Sequence, residues 1–170
     1  YLNSVLNKNA DIKIWNSPYQ RTRQTAQIIK DNLKDFRYEE EESLYIGERQ
    51  FGVLDSAENY SHEYKEEVKH YLMHKKEKHD FFVRPSLGES PYDMCLRLDA
   101  FINFYLKTTT HTQHVLVLHG AAIKGFLMMW LKKNYEWYNE QNNSHNAAIH
   151  YIDEHNKYHG EIFTPSDITG

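Results

Sequence analysis

Cysteine is nearly absent from this sequence, with Cys95 as the single example among 170 residues. One cysteine excludes a framework of internal disulfides and favours a reducing compartment, so we expect a cytoplasmic protein. Long apolar runs are also lacking, and the longest, residues 115–118 and 121–126, are far too short to cross a bilayer. No secretory signal stands at the start of the sequence, and since residue 1 is Tyr rather than Met, we expect residues upstream of it.

A strong charge of either sign is missing as well. The 20 Lys and Arg side chains and the 24 Asp and Glu side chains give a formal net charge of −4, and the pI is about 6.3. Nothing global therefore indicates a nucleic-acid partner. With 40% hydrophobic and 14% aromatic residues, the composition is that of a globular chain, and we expect one domain over residues 1–170.

Hydrophobic periodicity predicts short buried strands that alternate with amphipathic helices. The predicted strands are residues 11–15, 114–118 and 147–152, and the predicted helices are residues 21–33, 89–106 and 121–131. Strand 114–118 is apolar almost throughout, which is typical of a strand buried on both faces. This order of elements predicts a three-layer α/β/α sandwich with a mainly parallel sheet.

Two stretches between these elements have less regular patterns. Residues 53–87 are rich in Tyr, Lys, Glu and His, and we interpret them as a helical insert over the rim of the sheet. Residues 36–38 are expected to form a short strand. The acidic run 39–42 is interpreted as a solvated loop or helix end.

Chemically reactive residues follow three predicted strand ends, where ligands of parallel sheets bind. The segments are residues 17–25, 47–52 and 119–120. In the first, Arg21 and Arg23 stand where a loop enters a helix, and guanidinium groups and free N–H groups at a helix N-terminus both bind phosphate. Residues two apart cannot share a helix face, so we expect one arginine to face the site; two solvent-facing arginines are the alternative.

The other two segments offer a carboxyl group and an imidazole. Glu48 lies between Gly47 and Gly52. A phosphoryl-transfer site needs an acid for the leaving oxygen, which a partly buried Glu can supply, although a surface turn has the same pattern. His119 and Gly120 directly follow the buried strand. A lone histidine is more often structural than catalytic, but this position at the mouth of the ligand crevice favours a role in the site.

Taken in order along the chain, four motifs resemble the histidine phosphatase superfamily, which has the phosphoglycerate-mutase-like fold. They are Ser-Pro-x-x-Arg-x-x-Gln-Thr-Ala at residues 17–26, Glu-Arg-x-Phe-Gly at 48–52, Gly-Glu-Ser at 88–90 and a strand followed by His-Gly at 119–120. Residues 81–90 are further similar to a branch with a long insert. The resemblance covers residues 1–148, nearly the whole chain.

The resemblance implies a role for each matching residue. Arg21 would clamp the phosphate, Glu48 would donate the proton, and His119 would be the second histidine, which binds phosphate and stabilises the transferring group. Further substrate contacts are expected from Ser17, Arg49, Gly120 and Arg84. For Arg49 and Arg84 the alternative is that each forms an ion pair at the protein surface. No metal or other cofactor is implied.

The family's other half is an Arg-His-Gly motif on the first strand, whose histidine becomes phosphorylated, and this sequence lacks that motif. We expect it in a segment upstream of residue 1. By the resemblance, its strand is expected inside the sheet, between the strand that ends at Trp15 and the strand that ends at Leu118. An interior strand cannot be removed without leaving unpaired backbone groups, so upstream residues or another segment are expected to fill the slot.

The resemblance therefore implies a phosphoryl-transfer enzyme, namely a phosphatase that acts on a small phosphorylated substrate through a phosphohistidine. A phosphoglycerate mutase is the alternative, but residues 53–58 lack the lysine that is usual in glycolytic mutases, which favours the phosphatase. A non-catalytic domain that binds phosphorylated ligands is expected if the full protein has no Arg-His-Gly. The sequence leaves open whether the protein forms a homodimer.

A metalloprotein is the remaining alternative, because the sequence contains 11 histidines. His145, His150, His155 and His159 lie close together near the end of the sequence. Their spacing fits no compact set of metal ligands, so we expect no metal site.

Overall fold

The main sheet has three parallel strands, seen in a computed structural model that describes residues 2–55, 64–77 and 80–165. Strand β1 (Ile12–Asn16) lies in the middle, between β2 (Tyr38–Glu42) and β3 (Gln113–Val117). The predictions of a strand near residues 11–15 and of another near 114–118 are thus confirmed within two residues.

Strands β1 and β3 are direct neighbours, because Ile12 pairs with Gln113 and Asn16 pairs with Val117. The prediction that a further strand lies between the strands ending at Trp15 and Leu118 is therefore wrong. The two strands exchange their own backbone hydrogen bonds, so neither needs a partner at that position. Within the described part of the chain, no strand pairs with the outer edge of β3.

Helices cover both faces of this sheet. They are α1 (Leu2–Val5), α2 (Gln20–Asn32), α3 (Lys65–Glu77), α4 (Pro91–Phe101), α5 (Gly120–Trp130) and α6 (Tyr135–Glu140). Because side chains of a strand alternate between faces, Ile12 and Ile14 pack on one side with Leu33 and Phe36. On the other side Trp15 packs with residues of α4 and α5, namely Met94, Leu98, Phe101, Ala122 and Phe126. The protein is therefore a three-layer α/β/α sandwich with a parallel sheet, as the sequence predicts.

The acidic run forms strand β2, so its interpretation as a loop or helix end is wrong. Every residue of β2 is exposed at the edge of the sheet. Lys13 of β1 lies between Glu39 and Glu41, at 3.3 Å and 3.1 Å, and Lys30 of α2 contacts Glu40 at 2.6 Å. Because ion pairs rather than apolar contacts hold β2 in the sheet, the hydrophobic pattern of the sequence could not predict this strand.

Helix α4 begins with strong local signals. The Ser90 side chain accepts a hydrogen bond from the backbone N–H of Asp93, while the Asp93 carboxylate accepts one from the backbone N–H of Ser90, and Pro91 occupies the first turn. After Phe101 the chain continues as a π-helical turn, Ile102–Leu106. Together these elements confirm the predicted helix over residues 89–106.

The predicted insert, residues 53–87, contains α3 and parts of two 3₁₀ turns, Gly52–Leu54 and Asp80–Phe82. Residues 56–63 and 78–79 of this stretch lie outside the described residues. Arg49, in the loop before the insert, donates a hydrogen bond of 3.4 Å to the hydroxyl of Tyr71 in α3. This contact joins α3 to the loop that carries Glu48.

The C-terminal part forms a second, antiparallel sheet of two strands, β4 (Ile149–Ile152) and β5 (Tyr158–Phe163). The prediction of a strand at residues 147–152 is confirmed, but β5 was not predicted. Among the described residues, no helix is long and apolar enough to span a membrane.

Candidate active site

The carboxyl ends of β1 and β3 bring Ser17 and His119 together. The backbone N–H of Ser17 donates to the carbonyl of Val117 at 3.2 Å, which continues the pairing of the two strands. Ser17 Oγ and His119 Nε2 lie 2.7 Å apart although the residues are 102 positions apart in the sequence. Both residues are buried. The end of the sheet therefore holds the His119 imidazole in a fixed position.

Arg21 reaches this imidazole from the first turn of α2. Its Nε donates a hydrogen bond of 3.0 Å to His119 Nδ1, and one terminal nitrogen donates to Glu48 Oε2 at 3.4 Å. The start of the helix is fixed by the Thr22 hydroxyl, which donates to the carbonyls of Ser17 and Tyr19. Arg21 is thus directed at the site while most of its side chain stays open to solvent.

Arg23 points elsewhere, as its spacing from Arg21 predicts. Its Nε and one terminal nitrogen donate to the two carboxylate oxygens of Glu42 at the end of β2. Only one of the two arginines therefore faces the site.

His119 is neutral in this arrangement. Its Nδ1 accepts a hydrogen bond from Arg21, so the ring hydrogen sits on Nε2 and is donated to Ser17 Oγ. Burial, followed by the positive charges of Arg21 and Arg97, lowers the pKa of His119 from 6.5 to about 4. Burial is the main cause, and a cationic ring would also lose the bond from Arg21 and lie against a like charge, which lowers the pKa further.

Glu48 completes the cluster from the loop that follows β2. Its Oε2 lies 3.6 Å from His119 Nδ1, and its Oε1 accepts the backbone N–H of Arg49 at 2.9 Å. Burial raises the pKa of Glu48, while the bond from Arg49 and the charges of Arg21 and Arg97 oppose this shift. A carboxyl group with a raised pKa, next to a cation, is suited to hold and release a proton.

Two further side chains lie at the cluster, Tyr19 and Arg97, and neither was predicted from the sequence as a site residue. The Tyr19 ring meets the His119 ring edge to face with centroids 5.0 Å apart, and the Arg21 guanidinium lies 4.8 Å from the Tyr19 ring centroid. Arg97 donates to the backbone of the Glu48 loop. The available signal was a charged residue, Arg97, between the core positions Met94 and Leu98 of the helix.

Gly120 lies beside the cluster as the first residue of α5, and His119 is the N-cap of that helix. The positive end of the helix dipole, with its free N–H groups, therefore lies next to the imidazole. A Cβ at position 120 would stand 3.4 Å from the Cβ of Asn143, which is an ordinary van der Waals contact. Of the four expected substrate contacts, Ser17 and Gly120 are in the cluster.

The structure gives Arg49 and Arg84 other partners. Arg49 is buried, and its Nε donates to the carbonyl of Glu89 at 2.9 Å. Arg84 forms a bidentate pair with Asp93, at 2.9 Å and 2.6 Å. Neither arginine is brought to His119, and each instead holds loop structure around the start of α4.

Histidines outside the cluster are engaged in local contacts. His150 contacts the hydroxyls of Ser144 and Tyr158, each at 2.7 Å, and His145 Nδ1 lies 2.8 Å from Glu161. Among the residues that the structure describes, no group of three or more His, Cys, Asp or Glu side chains could hold a metal ion.

Fold and site together define an α/β protein in which Arg21, Glu48 and His119 form a cluster at the carboxyl end of the parallel strands. A family model described as the histidine phosphatase superfamily (branch 1) matches residues 2–162. The chain belongs to the histidine phosphatase superfamily, and it is an enzyme of that class. No curated protein sequence matches it significantly.

Solved structures with the same fold have low sequence identity to the chain. The mycobacterial glucosyl-3-phosphoglycerate phosphatase in complex with inorganic phosphate is 16% identical, with a TM-score of 0.64 over 88% of this chain and 75% of that one. A putative α-ribazole-5′-phosphate phosphatase from Escherichia coli is 14% identical, with a TM-score of 0.67 over 90% and 73% of the two chains. YhfR from Bacillus stearothermophilus is 16% identical, with a TM-score of 0.62 over 94% and 76%.

Proposed function

We propose that the protein is a phosphomonoester phosphatase that works through a phosphohistidine intermediate. The observation that carries this proposal is the convergence of Arg21, Glu48 and His119, whose functional atoms lie within 3.6 Å of one another. A cation, a neutral imidazole and a carboxyl group with a raised pKa are what cleavage of a phosphate monoester needs in one place.

The phosphoryl group would take the place of the present contacts within the cluster. Arg21, whose guanidinium is half open to solvent, binds its equatorial oxygens together with the N–H groups at the start of α5. A bound dianion raises the pKa of His119, because the negative charge stabilises the imidazolium. Nδ1 of His119, which now accepts from Arg21, then takes up a proton from solvent and donates a hydrogen bond to a phosphate oxygen.

Two displacements complete the proposed reaction. A nucleophilic histidine attacks phosphorus, the bond to the ester oxygen breaks, and Glu48 gives its proton to the departing alkoxide. Water then attacks the phosphohistidine, the phosphorus–nitrogen bond breaks, and the Glu48 carboxylate takes up the proton of that water. Two easier steps thereby replace one difficult step.

The nucleophilic histidine is proposed to come from a segment outside this sequence. Arg-His-Gly does not occur in the 170 residues, and within the described residues the outer edge of β3 has no partner strand. Leu116 and Leu118 beside that edge are only partly buried, although they pack against the core. An added parallel strand at this edge would end next to His119 and cover these leucines.

A small phosphorylated compound is the proposed substrate class. The structural relatives include a glucosyl-3-phosphoglycerate phosphatase and an α-ribazole phosphatase, whose names indicate small phosphorylated substrates. The single cysteine, which is buried, further supports a cytoplasmic location for this activity.

The test is a phosphatase assay on the full-length protein, including the residues upstream of this sequence, against a panel of phosphoesters. His119→Ala and alanine substitution of the upstream histidine are each expected to lower kcat/KM by at least about 100-fold. The matched control is His155→Ala, since that side chain is 83% exposed. Wild-type turnover in both active-site variants would disprove the proposed function.

A further inference from the structure

Arg97 of α4 uses every N–H of its guanidinium group to hold the loop around Glu48. One terminal nitrogen donates to the carbonyls of Tyr45 and Gly47, at 2.7 Å and 3.0 Å. The other donates to the carbonyl of Glu48 at 3.0 Å and to Glu89 Oε2 at 3.0 Å. Nε donates to Glu89 Oε1 at 2.8 Å. Five donors thus meet five acceptors.

Three of these acceptors are backbone carbonyls of the segment that delivers Glu48. The segment is a 3₁₀ turn, Leu44–Ile46, followed by Gly47 and Glu48. In the described structure it follows β2 and has no sheet partner of its own. Arg97 therefore supplies the contacts that a strand would otherwise receive from a neighbour, and it fixes the backbone from which the Glu48 carboxyl is presented.

Glu89 holds Arg97 in turn. Its carboxylate binds Arg97 in a bidentate pair, and Oε2 also accepts the backbone N–H of Gln50 at 3.1 Å. The backbone N–H of Glu89 donates to the carbonyl of Gln50 at 2.7 Å. Both side chains of the pair are mostly buried, at 19% and 18% exposure. The chain before Glu48 and the chain after it are thus tied to the same arginine–glutamate pair.

We propose that Arg97 is the positioning residue of the site, which holds the Glu48 carboxyl where it can protonate the leaving group. The inference rests on the proposed phosphatase function and adds a residue to it. Lysine cannot replace Arg97, because an ammonium group has three donors without the planar fork that matches carbonyls and carboxylate together.

Leaving groups of different acidity separate this role from a general structural one. An alkoxide needs a proton to depart, whereas 4-nitrophenolate leaves without one. When Glu48 is lost or displaced, hydrolysis of alkyl phosphates therefore slows, whereas hydrolysis of 4-nitrophenyl phosphate changes little. The ratio of the two kcat/KM values measures proton donation, since kcat/KM covers all steps up to departure of the leaving group.

The experiment measures kcat/KM of the full-length enzyme for glycerol 2-phosphate and 4-nitrophenyl phosphate. Arg97→Lys is expected to lower the value for glycerol 2-phosphate by about 100-fold and the value for 4-nitrophenyl phosphate by less than about fivefold. Glu48→Gln is expected to show the same pattern. The double variant is expected to lose little more than either single variant, because both changes remove one function.

Two further variants control for misfolding and for non-specific effects of losing a charge. Glu89→Gln keeps the size of the side chain but weakens the grip on Arg97, and we expect a smaller selective loss on glycerol 2-phosphate. Arg37→Met removes an arginine that is 73% exposed and paired with Asp11, and it is expected to leave the ratio unchanged.

The results separate failure of the positioning role of Arg97 from failure of proton donation by Glu48. If Arg97→Lys and Glu89→Gln lower kcat/KM equally for both substrates while Glu48→Gln shows the selective loss, the proposed role of Arg97 is wrong. If Glu48→Gln itself shows no selectivity, the proposed proton donor is wrong, and the role of Arg97 falls with it.

Discussion

Arg21 and His119 form a hydrogen bond of 3.0 Å from Nε to Nδ1, and this bond fixes the protonation state of the imidazole. An arginine has no lone pair to accept from a histidine, so Nδ1 must be the unprotonated nitrogen. The pair therefore consists of a permanently charged Arg21 and a neutral His119 ring, which can gain a proton when an anion binds.

The first prediction concerns the titration of His119. Its pKa, measured by NMR of histidine-labelled protein and assigned with His119→Gln, is expected near 4. Inorganic phosphate is expected to raise this pKa, because a bound anion favours the imidazolium. An ordinary value without phosphate would contradict the neutral, buried ring.

The same shift has a consequence for stability. The folded-state pKa lies below the value of 6.5 for an unperturbed histidine, so the unfolded chain binds the proton more readily. The contribution of neutral His119 to stability is complete above about pH 6.5 and is lost as the pH falls towards 4. Urea unfolding of wild type and His119→Gln across this range is expected to show a smaller slope with pH in the variant.

The second prediction separates the two arginines of α2. Arg21→Ala is expected to weaken competitive inhibition by inorganic phosphate about 10- to 100-fold in the full-length enzyme, because it removes charge-assisted hydrogen bonds to the anion. Arg23→Ala, which removes only the pair with Glu42, is the control and is expected to change the inhibition constant by less than about twofold. Equal effects would show that both arginines reach the ligand.

The third prediction concerns the glycines that bring the Glu48 loop against the segment before α4. Gly52 has φ +55°, and a Cβ there would stand 2.1 Å from the carbonyl oxygen of Ser86. Gly52→Ala is expected to destabilise the protein by about 2–4 kcal/mol, since it adds both a clash and an unfavourable backbone conformation. Gly160 has φ +84° but open space around it, so Gly160→Ala is expected to cost only about 1 kcal/mol. Thermal and urea unfolding measure both.

The fourth prediction concerns the cap of α4. Arg84, and then the bonds with Ser90, lower the pKa of Asp93 from 3.8 to about 2. A lowered carboxyl pKa stabilises the folded state above the ordinary value and ceases to do so as the pH falls through the folded value. Asp93→Asn is therefore expected to cost about 1–2 kcal/mol at neutral pH, with a difference from wild type that shrinks between pH 3.8 and pH 2. Asp35→Asn, at an exposed position, is expected to cost less than about 0.5 kcal/mol.

The sequence predicted the sheet and its layers because their signals are local. Ile12 and Ile14 alternate with polar neighbours, and a helix cap of Ser90 and Pro91 is readable without a structure. The strand expected at residues 36–38 overlaps β2 only at Tyr38. The acidic run 39–42 was not recognised as a strand because Lys13 and Lys30, distant in sequence, provide its contacts. Strand β5 was missed because its residues are only partly buried and show no clear alternation.

The site was predictable where a residue carries the chemistry itself and was not where a residue acts through the backbone. Arg21 and His119 stand in motifs at strand ends, and the structure brings them together. Arg49 resembles a substrate contact only until Glu89 and Tyr71 are found to bind it. Apart from Glu89, Arg97 binds backbone carbonyls, which every residue has, so no pattern of side chains could identify these three partners.

The two outer edges of the main sheet differ in kind, and this difference limits how the chain can associate with itself. Four adjacent glutamates line the β2 edge. Lys13, Lys30 and Arg23 neutralise only part of their charge, so this edge would still repel a second copy that paired there. The β3 edge carries no such charge. A polymer of stacked copies needs both edges to accept a strand, so growth through this sheet is expected to stop at a single added strand.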